Sequence, residues 1–387
     1  MGKRTQSHKL VLEKHFACIN KSGEELCGDR VLVSESNQGT AIVLSDGLGS
    51  GVKANILATI TAQVAITMLK GGAKVDEVVE TLGRTLPVCR IRKLAYATFS
   101  ILQVSHDGYT YLAEFDNPGL FFFRNGQLVP LHPQTRTIGA SAVREASWQG
   151  KAGDLLVAIS DGVVHAGLGT RLSFGWLYEN VGKYLESMVR KQLRPYEVCT
   201  KVLETAAEIS GGDIGDDATV FAVQLRPHRS VTIAVGPPAD SSRDAAYVES
   251  LLAETQTRVV CGGTTATLVA RELGSHVHVD LADIGSGRIP PMGRIPGMDL
   301  VTEGILTISE ALALIRDQRR PQTENGAAQL ANTLQNCDDA HFLVGRALNP
   351  AHQNPDLPVE LALKPQVIRE IAELLESRGK TVTTTFF

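Results

Sequence analysis

The chain has 387 residues, 43% hydrophobic and 21% charged, with a mean hydropathy near zero, which describes a globular protein and excludes one disordered throughout. One core usually serves roughly 100–200 residues, so two domains are expected. The net charge is −4, and no basic run longer than Lys3-Arg4 or Arg319-Arg320 offers a nucleic acid the footprint it needs.

In chain order, runs rich in β-branched and aromatic residues predict strands at Arg30–Ser34, Thr40–Ser45, Ala97–Val104, Tyr109–Phe115, Leu120–Arg124, Asp154–Ser160 and Thr219–Leu225. Helical blocks interrupt them at Val52–Leu69, Val75–Leu86 and Gly175–Ile209, with Ile56, Ile60, Val64 and Met68 on one shared face. Asn117-Pro118-Gly119 reads as a tight turn and Arg124-Asn125-Gly126-Gln127 as a hairpin. Strand runs alternating with paired helices predict an α+β sandwich, two sheets face to face under helices.

The pattern changes near Arg226-Pro227-His228-Arg229, so the domains are expected to be 1–228 and 229–387. Beyond it single strands and helices alternate: strands at Val231–Val235, Arg258–Cys261, His276–Leu281, His341–Val344, Val359–Ala362 and Thr381–Thr385, helices at Asp244–Thr255, Thr264–Leu273, Thr307–Arg316, Gln329–Cys337 and Pro365–Arg378. This predicts an α/β layered domain with a partly parallel sheet. The Gly- and Pro-rich segment Gly285–Gly297 reads as an ordered loop or a crossing over a pocket.

Six cysteines form no Cys-x-x-Cys pair, so reduced, mostly buried thiols are expected. Residues 1–13 lack the apolar core of a signal peptide. The longest apolar stretch, Ile56–Leu69, is broken by Thr59, Thr61, Gln63 and Thr67 and is shorter than the ~20 residues a bilayer demands. A cytoplasmic location follows, with no membrane partner.

Chemistry concentrates at strand ends. Ala41–Leu44 runs into Ser45-Asp46-Gly47, Leu156–Ile159 into Ser160-Asp161-Gly162, Gly215-Asp216-Asp217 precedes the strand beginning near Thr219, and Gly28-Asp29 precedes the first one. Any one of these alone reads equally as a turn. Together they bring carboxylates to several strand ends, the donor set hard divalent cations prefer, while glycine permits a sharp turn and frees the Gly47 carbonyl. Two such cations activate water and clamp a phosphoryl group, so no side-chain nucleophile is needed.

Asp46-Gly47-Leu48-Gly49-Ser50-Gly51, Ser160-Asp161-Gly162-Val163 and Asp216-Asp217-Ala218-Thr219-Val220, in that order, resemble the metal-dependent type 2C serine/threonine phosphatases, most closely the bacterial sporulation stage II protein E branch. The resemblance covers roughly residues 10–226 and implies the α-β-β-α phosphatase sandwich. It implies two Mn²⁺ or Mg²⁺ ions, with Asp46 bridging them, Asp161 and Asp216 on one, the Gly47 carbonyl on the other, and Asp29 and Asp217 completing the acids. It further implies a phosphorylated regulatory protein as substrate, such as an anti-sigma-factor antagonist; a homodimer is a separate expectation. Leu48 stands where the eukaryotic branch has a candidate acid histidine, no phosphate-binding arginine is assignable, and leaving-group protonation falls to water or an unrecognised group. A non-catalytic partner-switch module and a hydrolase of small phosphate esters are the alternatives.

Gly49 and Gly51 ahead of a helix also allow a phosphate cradle, and Lys53 reads as a solvated charge. In the second domain Gly262-Gly263-Thr264-Thr265 runs from strand into helix: an anion site, or a turn capped by Thr264 or Thr265. His276, His278 and Asp280 alternate along one strand face and read as solvated rather than metal-binding, and Cys261 as a buried small residue.

Overall fold

The computed structural model describes residues 10–36, 39–85, 97–138, 141–253, 256–279, 293–317, 325–347 and 359–387. The chain divides between Pro227 and His228 into two compact units.

The first unit contains β1 (Leu10–Ile19), β2 (Asp29–Ser36), β3 (Gly39–Gly47), α1 (Gly51–Lys70), α2 (Val75–Thr85), β4 (Ala97–Ser105), β5 (Tyr109–Phe115), β6 (Phe121–Arg124), β7 (Gln127–Val129), β8 (Gln134–Ile138), β9 (Ser141–Gln149), β10 (Leu155–Ile159), α3 (Asp161–Val164), α4 (Tyr178–Arg190), α5 (Pro195–Ile209) and β11 (Ala218–Pro227). Two antiparallel sheets result, ordered β1-β11-β10-β6-β7 and β2-β3-β4-β5-β9-β8. Side chains alternate across each strand: Ile42 and Leu44 join Leu102, Phe122, Leu156 and Phe221 between the sheets, while Val43 and Ile101 turn outward beneath α1 and α2. Phe121, Val157 and Val220 turn out beneath α4 and α5. Four layers, α-β-β-α, are thereby closed.

Several expectations change. β1 was not anticipated because Glu13, Lys14 and His15 interrupt its apolar residues; full pairing with β11, Leu10 against Pro227 through Ile19 against Ala218, holds it instead. β8 and β9 are polar strands, β9 held by pairing to β5 and β8 by pairing to β9. The helical block 175–209 is two helices, because Gln192 takes a left-handed φ of 54° and Pro195 begins the next. The expected end of the second helix at Leu86 lies outside the described residues.

α1 buries a different face from the one expected. Ala54, Ala58, Ala62 and Ala65 meet the sheet, Val64 and Met68 are half-buried, and Ile56 and Ile60 are exposed. Small residues let the helix sit close to β2 and β3, which branched side chains would prevent. At 20 residues it is longer than the apolar stretch suggested, and among the described residues it is the helix long and apolar enough to cross a membrane.

The second unit contains β12 (Ser230–Val235), α6 (Asp244–Leu252), β13 (Thr257–Cys261), α7 (Gly263–Glu272), β14 (His278–Val279), β15 (Gly293–Arg294), β16 (Leu300–Thr302), α8 (Ile305–Asp317), α9 (Gly326–Asn336), β17 (Asp339–Val344), α10 (Val359–Glu376) and β18 (Thr381–Phe386). Its sheet runs β14-β15-β16-β13-β12-β17-β18, parallel from β16 to β18. α6 and α7 cover one face over Ala234, Val260 and Leu343, and α8, α9 and α10 cover the other over Ile233, Val259 and Phe342. The strand expected at Val359–Ala362 is the first turn of α10; alternation over four residues cannot separate the two periods, and Leu, Ala and Glu favour helix. The strand expected at His276–Leu281 shortens to two described residues. Asp280, Cys89 and the loop residues 285–292 lie outside the described residues.

Candidate metal centre

Asp29 opens β2 and Asp46 is the penultimate residue of β3, and the two pair directly in the antiparallel register. Their side chains therefore leave the same face at neighbouring positions. From the other sheet, Asp161 begins α3 at the end of β10, and Asp216 and Asp217 immediately precede β11. Each sheet thus contributes acids to one end of the sandwich.

The two Ser-Asp-Gly motifs are built alike. Ser45 Oγ donates to Thr98 O at 2.9 Å, tying β3 to β4. Ser160 Oγ accepts from Thr219 N at 2.9 Å and donates to Asp217 O at 3.4 Å, tying β10 to β11. Both serines are fully buried. Neither glycine is there for a left-handed φ, which corrects the turn argument. They are sites of close approach: a Cβ on Gly47 would lie 2.1 Å from Ala54 O, and one on Gly162 2.1 Å from Asp217 O. The turning is done by Gly49 and Gly51, at φ of 102° and 68°.

The loop between β1 and β2 braces the site. Lys21 N–H donates to Asp217 Oδ1 at 2.9 Å, Asn55 Nδ2 to Cys27 O at 2.8 Å, and Gly47 N–H to Gly28 O at 3.2 Å. Glu24 accepts from Ser50 Oγ at 3.0 Å beside the start of α1. That carboxylate lies against Gly51, where a Cβ would meet Glu24 Oε2 at 2.2 Å, while a Cβ on Gly49 would meet nothing within 4 Å. Lys53 is exposed, as expected.

Burial pushes the Asp46 carboxyl up to about 10, reinforced by the charges of Asp29, Asp161 and Asp216. Burial also raises Asp29, to about 7, tempered by the facing hydroxyls of Thr219 and Ser160 and pushed further by Asp217 and Asp161. Asp216 is raised by burial and by Asp161, with Lys21 acting weakly against it. Both Asp29 oxygens and Asp217 Oδ2 are buried without a hydrogen-bond partner. Such clustered, unpaired carboxylates call for compensating positive charge, and an all-oxygen donor set suits Mg²⁺ or Mn²⁺. Among the described residues no three acidic, histidine or cysteine side chains stand ready-made around a single ion.

The structure thus brings Asp29, Asp46, Gly47, Asp161 and Asp216 together. Asp217 stands beside them: its charge raises Asp29 and Asp216, while its Oδ1 anchors the loop backbone. The bracing residues Lys21, Glu24 and Asn55 were not anticipated; Glu24 and Asn55 lack any motif, and their partners are backbone groups and a loop distant in sequence. In the second unit Gly262 is the N-cap of α7 and no side chain caps it, so the expected threonine cap is absent. His276 and His278 are exposed, and burial pushes the Cys261 thiol up to about 11, as befits an inert core residue. Of the other described cysteines, Cys27, Cys199 and Cys337 are buried and unpaired and Cys18 is exposed.

Residues 36–226 match the sequence model of the family "Stage II sporulation protein E (SpoIIE)". Stage II sporulation protein E of Priestia megaterium is 23% identical over 221 residues, 56% of this chain and 37% of that protein. Its Bacillus subtilis counterpart is 26% identical over 211 residues, 53% of this chain and 24% of that protein, so the chain spans well under half the length of either relative. The solved PP2C phosphatase domain of B. subtilis SpoIIE, with a fragment of its regulatory domain, superposes with a TM-score of 0.48 at 22% identity, covering 57% of this chain and 64% of that one. Over residues 36–226, just under half of its length, the chain is thus similar to the stage II sporulation protein E family.

Proposed function

We propose that the first unit is a metal-dependent phosphatase that removes phosphate from phosphoserine or phosphothreonine on a regulatory partner protein in the cytoplasm. The observation that carries this reading is the meeting of Asp29, Asp46, Asp161 and Asp216, from two sheets, in a cluster where burial and neighbouring carboxylates raise Asp29, Asp46 and Asp216.

Asp46, flanked by the other three, would bridge two divalent ions; Asp161 and Asp216 would hold one, and Asp29 and the Gly47 carbonyl would face the other. When bound, such ions polarise phosphoryl oxygens and activate water. The chain's own contribution is placement. Ser45 and Ser160 fix the two strand ends, and Gly47 and Gly162 let α1 and the residues before β11 come close. Asp217 holds the β1–β2 loop. The family match over residues 36–226 supports phosphoryl chemistry, and a protein substrate of the anti-sigma-factor antagonist kind and a homodimer complete the reading.

Turnover of p-nitrophenyl phosphate and of phosphopeptides, with and without Mn²⁺, tests it against Asp46→Asn and Asp161→Asn. Metal-independent turnover, or variants as active as wild type, would sink the proposal. Turnover of small esters with none of phosphopeptides would shift the substrate class, and light scattering checks the dimer.

A further inference from the structure

Two helices of the second unit begin at the carboxyl ends of neighbouring parallel strands. β13 leads into α7 through Gly262, and β16 leads into α8 through Glu303 and Gly304. The helices cover opposite faces of the sheet, so their starts converge over its end. A Cβ on Gly304 would lie 3.7 Å from the Gly262 Cα, and Gly262 N–H donates to Thr302 O at 2.9 Å.

Glycine at both positions leaves these starts without a capping side chain. The first intrahelical bonds run from Ala266 N to Gly262 O and from Ile308 N to Gly304 O. Among the described residues the amides of Gly263, Thr264 and Thr265, and of Ile305, Leu306 and Thr307, have no acceptor. A second observation is independent of the backbone. Thr265 and Thr307 hold the same third position in their helices, are 0% and 1% exposed, and neither hydroxyl has a hydrogen-bond partner. Thr265 Oγ1 points toward the junction, 3.2 Å from where a Gly262 Cβ would stand. Native structures seldom leave such buried hydroxyls unpaired.

Open α/β sheets usually bind ligands where the strand order reverses, here between β12 and β17. That crevice is filled by the chain: Gly345 N–H donates to Val235 O at 3.0 Å, Ala347 N–H to Pro237 O at 3.1 Å, and a Cβ on Gly345 would fall 2.0 Å from Pro237 O. The junction two strands along is more open, with Gly263 and Thr264 exposed. Glu303 stands at its rim, 3.7 Å from a Cβ on Gly263 and exposed; its carbonyl accepts from Thr302 Oγ1, and its carboxylate has no hydrogen bond among the described residues. Glu24 at α1, by contrast, is held by Ser50.

We infer that this junction binds the phosphoryl group of a small phosphate ester, with Glu303 accepting a hydrogen bond from a hydroxyl on its organic part. Two helix starts supply free amides and two positive dipole ends, and Thr265 and Thr307 supply hydroxyl donors, a set suited to a doubly charged oxyanion.

The test uses the full chain in EDTA, so that phosphate cannot sit on divalent ions in the first unit. Calorimetry and thermal melting are run with inorganic phosphate, ribose phosphate and ribose. Both phosphates are expected to bind and raise the melting temperature, ribose phosphate more tightly, and ribose not at all. Gly304→Asp, which has room for its Cβ, places a carboxylate at the α8 start and should weaken phosphate at least about tenfold. The double variant Thr265→Val, Thr307→Val should melt higher without ligand, because two unpaired hydroxyls are gone, yet bind phosphate at least about tenfold more weakly. Glu303→Gln should erase the preference for ribose phosphate over phosphate. No binding of either phosphate at millimolar concentration, or equal affinity in Gly304→Asp and wild type, overturns the inference. A valine pair that binds as wild type also overturns it.

Discussion

Replacing Gly47 by alanine isolates the close approach that sets the metal centre. The new methyl carbon would stand 2.1 Å from Ala54 O, 2.7 Å from its carbonyl carbon and 2.9 Å from its Cα. These are backbone atoms of α1, so no side-chain rotation relieves the contact. Restoring an ordinary separation requires β3 and α1 to part by about 1 Å, and overpacking of this kind costs about 1–3 kcal/mol. For a domain of this size that lowers the melting temperature by roughly 2–12 °C, at 2–4 °C per kcal/mol. Asp46 precedes the altered residue, and a shift of ~1 Å in a positioned group costs about a hundredfold in rate. Differential scanning fluorimetry with and without Mn²⁺, together with phosphopeptide turnover, reads both effects. Gly49→Ala is the comparison: its Cβ meets nothing within 4 Å, and only the φ of 102° is strained. If Gly47→Ala melts within a degree of wild type and keeps its turnover, the close-approach explanation is wrong.

Asp46→Asn removes the central carboxylate of the cluster; the metal-free variant should melt higher than wild type, by about 1–3 kcal/mol, while losing stabilisation by Mn²⁺. A lower melting temperature without metal would contradict the repulsion invoked here. Ser160→Ala leaves Thr219 N–H without its acceptor and should cost about 1–3 kcal/mol in denaturant unfolding, with Ser160→Thr recovering part of it. Glu114 is raised by burial to about 7, against the pull of Arg144 and the Leu120 N–H. Its folded pKa lies above the unfolded 4.5, so the folded state holds a proton the unfolded chain has released. Its contribution is complete below pH 4.5, fades as pH rises toward 7, and amounts to at most roughly 3 kcal/mol at ~1.4 kcal/mol per unit. Unfolding from pH 4.5 to 8, wild type minus Glu114→Gln, should show that slope; parallel curves refute it.

Much of the first unit was legible because its central strands carry long apolar runs bounded by turn residues, Thr40–Ser45 and Asp154–Ser160 above all. The acids were legible because Ser-Asp-Gly recurs at two of those ends and a third acidic pair stands before another strand. What escaped was whatever depends on pairing across the chain. β1, with Glu13, Lys14 and His15 in its middle, has no apolar signature and is a strand because β11 lies beside it. The buried face of α1 was misread because bulky Ile56 and Ile60 suggested a core, whereas closeness to the sheet selects the alanines. Glycines 47 and 162 were correctly singled out for the wrong reason: sequence carries no record of which backbone will lie opposite. The junction escaped for the same reason, since only the sheet order brings Gly304 beside Gly262.

The pairing of β1 with β11 also imposes an order of events on synthesis. Leu10 meets Pro227 and Cys18 meets Thr219, so the first strand made must wait for the last. A nascent chain halted at residue 200 has Asp29, Asp46 and Asp161 but neither Asp216 nor the strand that holds Ser160 in place. Long-range closure of this kind is slow relative to local structure. Assembly of the acids therefore marks a finished first unit and comes late in its birth, when all its strands have left the ribosome.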